Sequence, residues 1–272
     1  MKIDLSQATF IIPIRIESSD RLRNVITIIA FLIENFNTNI IVKEVDSKSV
    51  FQEDAMPILD DIVENGIWEN FNFIFERSHE PLFHRQKIIN EMIMEADTDI
   101  IVNYDCDVIL PKESYQMAYD SIVDGNFDVV YPYGQGTFQK QVAATDTTVS
   151  KFLETGDYEF LNAVSKEYLS DFGWVQFFKK QVYIDVGMEN ENFKAYAPED
   201  KERFYRYNTL GYNVGRINNC VYHLEHARGE NSWFTNPYMK SNMDEWEKIQ
   251  SMSKKNLLEY YSHQNYLKKY KK

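Results

Sequence analysis

The segment Asn103-Tyr104-Asp105-Cys106-Asp107 sets two carboxylates one residue apart, directly after the apolar run Ile100-Ile101-Val102. Two like charges at the end of a buried strand are costly to desolvate unless a cation lies beside them. Hard divalent cations accept such oxygens, so a metal bridge through Asp105 and Asp107 is one reading; a surface turn in which an Asp caps its own backbone is the other. A second cluster, Tyr222-His223-Leu224-Glu225-His226-Ala227-Arg228, carries two imidazoles three residues apart. Imidazole suits Zn²⁺ or Mn²⁺, and that spacing can converge on one helical turn or at a bend. The order is not the His-Glu-x-x-His of a zinc protease, because Glu225 stands immediately before the second His. A third cluster, Ala197-Pro198-Glu199-Asp200, reads as a helix start whose acids favour the macrodipole. A carboxylate there could equally act as a general base toward a hydroxyl.

These residues need a scaffold, and the hydrophobic pattern supplies one. Thr9–Ile14, Asn39–Val45, Phe71–Phe75 and Asp99–Tyr104 read as buried strands. Between them fall helical patterns: Leu22, Val25, Ile26 and Ile29 after a Ser18-Ser19-Asp20 cap, then Met56, Leu59, Ile62 and Val63, then Phe83–Ala96. Such alternation predicts an α/β fold with a mostly parallel central sheet flanked by helices. Ligands of such sheets sit at the carboxyl ends of the strands, where Asp46 and Asp105 stand.

Beyond Pro111, Glu113–Val123 and Lys201–Leu210 read as helices and Asp128–Tyr133 and Trp174–Phe178 as strands. Gly134–Ser150, rich in Gly, Thr and Gln, reads as a mobile loop and candidate lid. Phe152–Phe172 reads as largely helical. From Met243 onward, Trp246, Ile249, Met252, Leu257, Tyr260 and Tyr261 mark one imperfect amphipathic helix ending in Lys268-Lys269-Tyr270-Lys271-Lys272. It reads as a helix packed on the domain, or else as a weak basic anchor on an anionic membrane surface.

Composition narrows the class. In 272 residues, 44% hydrophobic and 26% charged side chains exclude a mainly disordered chain. A net charge of −13 argues against a general nucleic-acid binder, although a metal can bring a nucleotide to an acidic protein. Two cysteines, Cys106 and Cys220, offer no disulfide framework and fit a reducing cytoplasm. No apolar run long enough to span a membrane is evident, so at most a peripheral contact with the inner face of a membrane is expected.

Over roughly Phe10 to Asn231 the sequence resembles the GT-A glycosyltransferases. It is most similar to inverting enzymes related to the β-1,4-galactosyltransferases and to the glycosyltransferase domains of bacterial chondroitin-type polymerases. Phe10-Ile11-Ile12-Pro13-Ile14-Arg15 resembles the family's opening strand, and Val45-Asp46-Ser47 its second-strand turn. His84-Arg85 to Asn90 is similar to the basic helix before the metal strand, and Asp105 and Asp107 match the Asp-x-Asp motif. Phe172-Gly173-Trp174, Val186–Phe193 and Ala197–Asp200 resemble the acceptor region and the run that ends in Glu-Asp; Asn190 and Tyr196-Ala197-Pro198 depart from it.

The resemblance implies a Rossmann-like nucleotide-sugar fold in 1–236, with a donor half to about 111 and an acceptor half from 112, followed by a helical extension in 237–272. It implies a UDP-sugar donor held by Pro13, Arg15, Asp46, Arg85, Asp105 and Asp107. Mn²⁺, or Mg²⁺, would sit on Asp107 and His226, with Asp105 nearby and His223 the weaker match. Asp200 would be the base, with Glu199 placing a glycan or lipid-linked glycan acceptor near Gly173, Trp174 and Glu191. Gly134–Ser150 or Arg228–Phe234 would close over the donor. A sugar nucleotidyltransferase is the rival enzyme reading, but Arg15-Ile16-Glu17 follows the first strand where a Gly-rich phosphate loop is needed. A catalytically silent sugar- or nucleotide-binding module is the rival from another class.

Overall fold

The computed structural model describes residues 1–63, 70–170, 172–229, 232–233 and 235–270. It opens with β1 (Ile3–Ile14), whose last seven residues are all buried. A strand covered on both faces reads as a continuous apolar run, which is why Thr9–Ile14 is legible while its polar beginning is not. In α1 (Ser19–Asn35), Ser18 caps the helix by accepting from the Arg21 backbone N–H. The chain then passes straight into β2 (Phe36–Asp46). A π-helical turn, Phe51–Ala55, leads into α2 (Met56–Ile62). There follow β3 (Phe71–Arg77), α3 (Arg85–Glu95), β4 (Ile100–Tyr104), β5 (Val108–Ile109), α4 (Lys112–Val123) and β6 (Val129–Tyr131).

The stretch expected to be a lid is ordered structure. It holds a 3₁₀ turn at Gly136–Phe138, β7 (Gln139–Val142) and the start of α5 (Asp146–Thr155). Nor is Phe152–Phe172 one helix: α5 ends at a left-handed Gly156, then come α6 (Tyr158–Ala163) and β8 (Ser165–Glu167). The last part comprises β9 (Val175–Lys179), α7 (Lys180–Asp185), α8 (Glu199–Leu210), β10 (Val214–Arg216), β11 (Val221–Leu224), α9 (Met239–Gln250) and α10 (Lys254–Ser262).

Among the described residues, seven strands form the main sheet in the order β10-β6-β9-β4-β1-β2-β3. All neighbours run parallel except β9, which is antiparallel to both β4 and β6. Its centre is aromatic: the Phe10 ring lies 5.6–6.5 Å from those of Tyr104, Phe177, Tyr115 and Phe36. A second sheet, β5-β11-β7-β8, stands beyond the carboxyl end of β4. Because β5 pairs antiparallel with β11, His223 faces Val108, one residue past Asp107.

The C-terminal segment is two helices and a 3₁₀ turn, Asn265–Lys269, because Ser253 caps a fresh helix start. Trp246, Ile249, Leu257, Tyr261, Tyr266 and Leu267 are buried, so the apolar face is used inside the fold. Tyr261 donates to Glu202 of α8 at 2.6 Å, and its ring lies 4.2 Å from the Arg206 guanidinium. Glu230, Asn231 and Phe234 of the Arg228–Phe234 segment, and Lys271 and Lys272 of the basic end, lie outside the described residues. Among the described residues no helix is long and apolar enough to cross a membrane.

Gly187 holds this packing. Its φ is +97°, and a Cβ there would lie 2.6 Å from Cδ1 of Tyr261. Gly187→Ala is therefore expected to lower the urea midpoint, with a loss of about 1–3 kcal/mol from backbone strain alone.

Candidate active site

At the carboxyl edge of the main sheet a cavity is walled by Pro13 and Arg15 at the end of β1, Arg85 at the start of α3, and Asp105 and Asp107 after β4. Its other side carries Gly173 and Trp174 before β9, Glu199 and Asp200 on the first turn of α8, and His223 and His226 on and after β11. The residues singled out in the sequence thus converge on one cavity, apart from Asp46 and Glu191.

Asp107, His223 and His226 offer ligand atoms within 4.8 Å of one another. His226 Nδ1 lies 2.7 Å from the Ala227 carbonyl, and only an N–H can bond that oxygen. In the neutral ring the lone pair then sits on Nε2, which lies 3.0 Å from Asp107 Oδ2. The contact is held by a proton on Nε2 or by a metal ion shared between the two atoms. An imidazole tied through its far nitrogen to a carbonyl is also the usual arrangement of a metal-bound histidine. His223 Nε2 is 3.8 Å from Asp107 Oδ1, and both Asp107 Oδ1 and His223 Nδ1 are buried without a hydrogen-bond partner. Burial opposes charge on both groups, pushing His223 down to about 4 and leaving a neutral ring. For Asp107 burial is outweighed by the two imidazoles, and the carboxyl is held below the usual carboxylate range. One ionised carboxylate and neutral imidazole nitrogens fit a divalent cation such as Mn²⁺.

His223 is no weaker a candidate than His226. Trp174 and Tyr168 both stack with it, each with a centroid 5.9 Å away, and β11 fixes its backbone. Trp174 takes φ +72°, and its ring also contacts Tyr133 and Tyr168. It borders the cavity as a support for His223.

Asp105 does not join the metal group. Arg85 Nη2 donates to its Oδ1, and burial still pushes its carboxyl up to about 6, helped by Asp107 and Asp200. Asp200 is bound to Arg203, which is 1% exposed and also meets Glu189 at 3.1 Å and Gln176 at 2.5 Å. Burial raises Asp200 above its ordinary value despite the arginines. Gly173 leaves room for it, since a Cβ there would lie 3.0 Å from Asp200 Oδ2. Glu199 is pushed up to about 8 by burial and by Asp200, and its Oε2 has no hydrogen-bond partner.

Two expectations fail on position. Glu191 accepts from Asn90 at 3.1 Å, Tyr270 at 2.7 Å and Lys269 at 2.7 Å, so it anchors the C-terminal turn away from the cavity. Asp46 stands on the same sheet edge but outside the cavity wall, with its Oδ1 accepting from the Ser47 N–H at 2.6 Å. That is the self-capping alternative, realised at Asp46. The cavity also takes in Arg21, Tyr168, Tyr196 and Arg228. In the sequence Arg21 belongs to a helical pattern defined by its apolar face alone, and the tyrosines carry no spacing signal.

No protein-family model matches the sequence, and no curated protein matches it. Solved structures do. The mannosyltransferase PcManGT from Pyrobaculum calidifontis, in complex with GDP-Man and Mn²⁺, matches with a TM-score of 0.50 and 12% identity, over 82% of this chain and 58% of its own. GalNAc-T7, in a structure with UDP, GalNAc and Mn²⁺, matches with a TM-score of 0.55 and 10% identity, over 93% and 50%. The fold is that of the GT-A glycosyltransferases. The chain spans between half and three-fifths of these solved structures. In open α/β sheets ligands sit at the carboxyl ends of the strands, and here that edge holds the Asp107 cluster.

Two expectations test this geometry. Mn²⁺ should raise the melting temperature, equivalent to about 2.7 kcal/mol at one hundred times Kd, and Asp107→Ala should abolish the rise in differential scanning fluorimetry. Glu199 has a folded value above its ordinary 4.5, so its stabilising contribution is full below that pH and is lost as pH rises through about 8. Glu199→Gln, which mimics the protonated acid, should therefore melt higher than the parent at pH 8 and equally below pH 4.5, as read by calorimetry.

Proposed function

We propose that the chain is a metal-dependent, inverting glycosyltransferase that moves a hexose from a UDP-sugar to a hydroxyl of a glycan or lipid-linked glycan. The observation that carries this reading is the Asp107–His223–His226 cluster at the carboxyl edge of a GT-A sheet, with Asp200 and Glu199 across the same cavity. The Mn²⁺ and nucleotides named with both solved neighbours support it. Galactose, N-acetylgalactosamine, glucose and N-acetylglucosamine are the donor sugars considered.

A divalent cation held by Asp107, His223 and His226 would neutralise charge on the departing diphosphate. Arg85 pairs with the Asp105 carboxylate beside it and partly offsets the effect of burial on its proton affinity. Asp200, raised by burial, accepts the proton of the acceptor hydroxyl as its oxygen attacks the anomeric carbon and the bond to the diphosphate breaks. Arg203 fixes the Asp200 carboxylate, so the proton-accepting lone pair does not wander. Glu199, with Oε2 unpartnered, positions the acceptor oxygen. Pro13 and Arg15 form the uridine side, and Gly173 and Trp174 border the acceptor side.

We read 1–236 as the catalytic unit and 237–272 as an extension packed on α8.

Incubation with a panel of UDP-sugars, Mn²⁺ and glycan acceptors should give transfer or slow donor hydrolysis that a chelator abolishes. Asp200→Asn should bind UDP as the parent does and lose transfer by about 10²–10⁴-fold. Unimpaired transfer would remove Asp200 from its role. Donor binding without turnover would favour a silent module, and release of diphosphate from a nucleoside triphosphate and a sugar phosphate would favour a nucleotidyltransferase.

A further inference from the structure

The cavity is lined by several arginines whose duties differ. Arg85 is committed to Asp105. Arg15 is held at the opposite end, donating to the Val45 carbonyl at 2.9 Å and the Pro81 carbonyl at 3.0 Å, with its guanidinium over Phe83. Arg228 lies over the Trp233 ring and donates to the Tyr168 hydroxyl at 3.4 Å. Arg21, on the first turn of α1, is held least. Its Nε is 3.8 Å from Glu17, beyond hydrogen-bond reach, and its Nη2 donates to a neutral hydroxyl, Ser232 Oγ, at 3.3 Å. Yet its side chain is only 16% exposed, and its charge bears directly on Asp107, Cys106 and His223.

Charge balance makes this position informative. The carboxylates Asp105 and Asp200 are already matched by Arg85 and Arg203. A divalent cation on Asp107 leaves one net positive charge, fewer than the negative charges of a departing nucleoside diphosphate. A further cation beside the cluster would meet the remainder, and Arg21 lies in the same cavity wall with weak partners.

We propose that Arg21 binds the diphosphate of the nucleotide-sugar donor, giving up Ser232 to do so; the proposal rests on the glycosyltransferase reading above. A guanidinium makes charge-assisted, bidentate bonds to phosphate oxygens, which outcompete a single long bond to a hydroxyl. Ser232 keeps partners of its own when Arg21 leaves it. Gly229 N–H donates to Ser232 Oγ at 3.0 Å and Ser232 N–H to the Gly229 carbonyl at 3.1 Å, so these two residues stay bonded without Arg21.

The test is calorimetric titration of UDP, with GDP and ADP in parallel, into the Mn²⁺-loaded full chain. Arg21→Ala should weaken nucleoside diphosphate binding about 10- to 100-fold, and Arg21→Lys should recover part of the loss. The affinity for Mn²⁺ alone, read by electron paramagnetic resonance, should not fall. Ser232→Ala separates binding from tethering: it should bind UDP at least as tightly as the parent. Unchanged binding by Arg21→Ala overturns the proposal, and so does a Ser232→Ala variant that reproduces the loss, since Arg21 would then act only by holding the turn. If circular dichroism shows Arg21→Ala unfolded, Arg21→Gln takes its place with the same expected loss. If the Mn²⁺-loaded parent binds none of the three diphosphates, the glycosyltransferase reading itself fails, and Arg21 falls with it.

Discussion

The candidate site depends on a short backbone clasp. Leu224 N–H donates to the Asp107 carbonyl at 2.7 Å, and Asn24 of α1 donates to the Leu224 carbonyl at 3.0 Å. These two bonds join the end of β4, the first turns of α1 and a strand more than a hundred residues later. Without them Asp107 would be a buried carboxylate with no counter-group, an arrangement that costs several kcal/mol. With them it meets two imidazoles and room for a cation. The second sheet exists to hold β11 there: β5 and β7 flank it, and Gln139 of β7 binds the Ser170 backbone through both of its amide atoms.

Charge is otherwise managed by pairing acids with arginines that are themselves buried. Arg85 faces Asp105, Arg203 lies between Asp200 and Glu189, and Arg206 meets Glu202 at 3.1 Å. The consequence is a graded set of carboxylates in one cavity: Asp107 ionised, Asp105 held near 6, Glu199 near 8. Groups of one chemical type given different proton affinities can take different roles, and that division underlies the assignment of metal ligand, base and positioning acid.

The elements before Pro111 were legible because most of their strands are buried on both faces and their helices are amphipathic. Each signal comes from burial, which selects side-chain type. The second sheet was not legible for the complementary reason. Gln139–Val142 contributes backbone pairing more than apolar area, and its Gln and Lys side chains resemble those of a loop. Glu191 shows the limit for site residues: an acid in the right neighbourhood of the sequence had been taken up by Lys269 and Tyr270, which come close only in three dimensions. Asp107, Glu199 and Asp200 could be singled out because their motifs keep residue type and spacing together, and all three line the cavity. Arg21 was not, since one arginine on a helix carries no pattern.

Trp174 stacks on His223 at 5.9 Å with planes 22° apart, inside the wall of the cavity. Indole emission is sensitive to a neighbouring imidazole's charge and is quenched by a paramagnetic ion at such range. The ring that supports a candidate metal ligand would therefore make the molecule its own optical gauge: occupancy of the cluster would be written into the fluorescence of a residue the chain already carries.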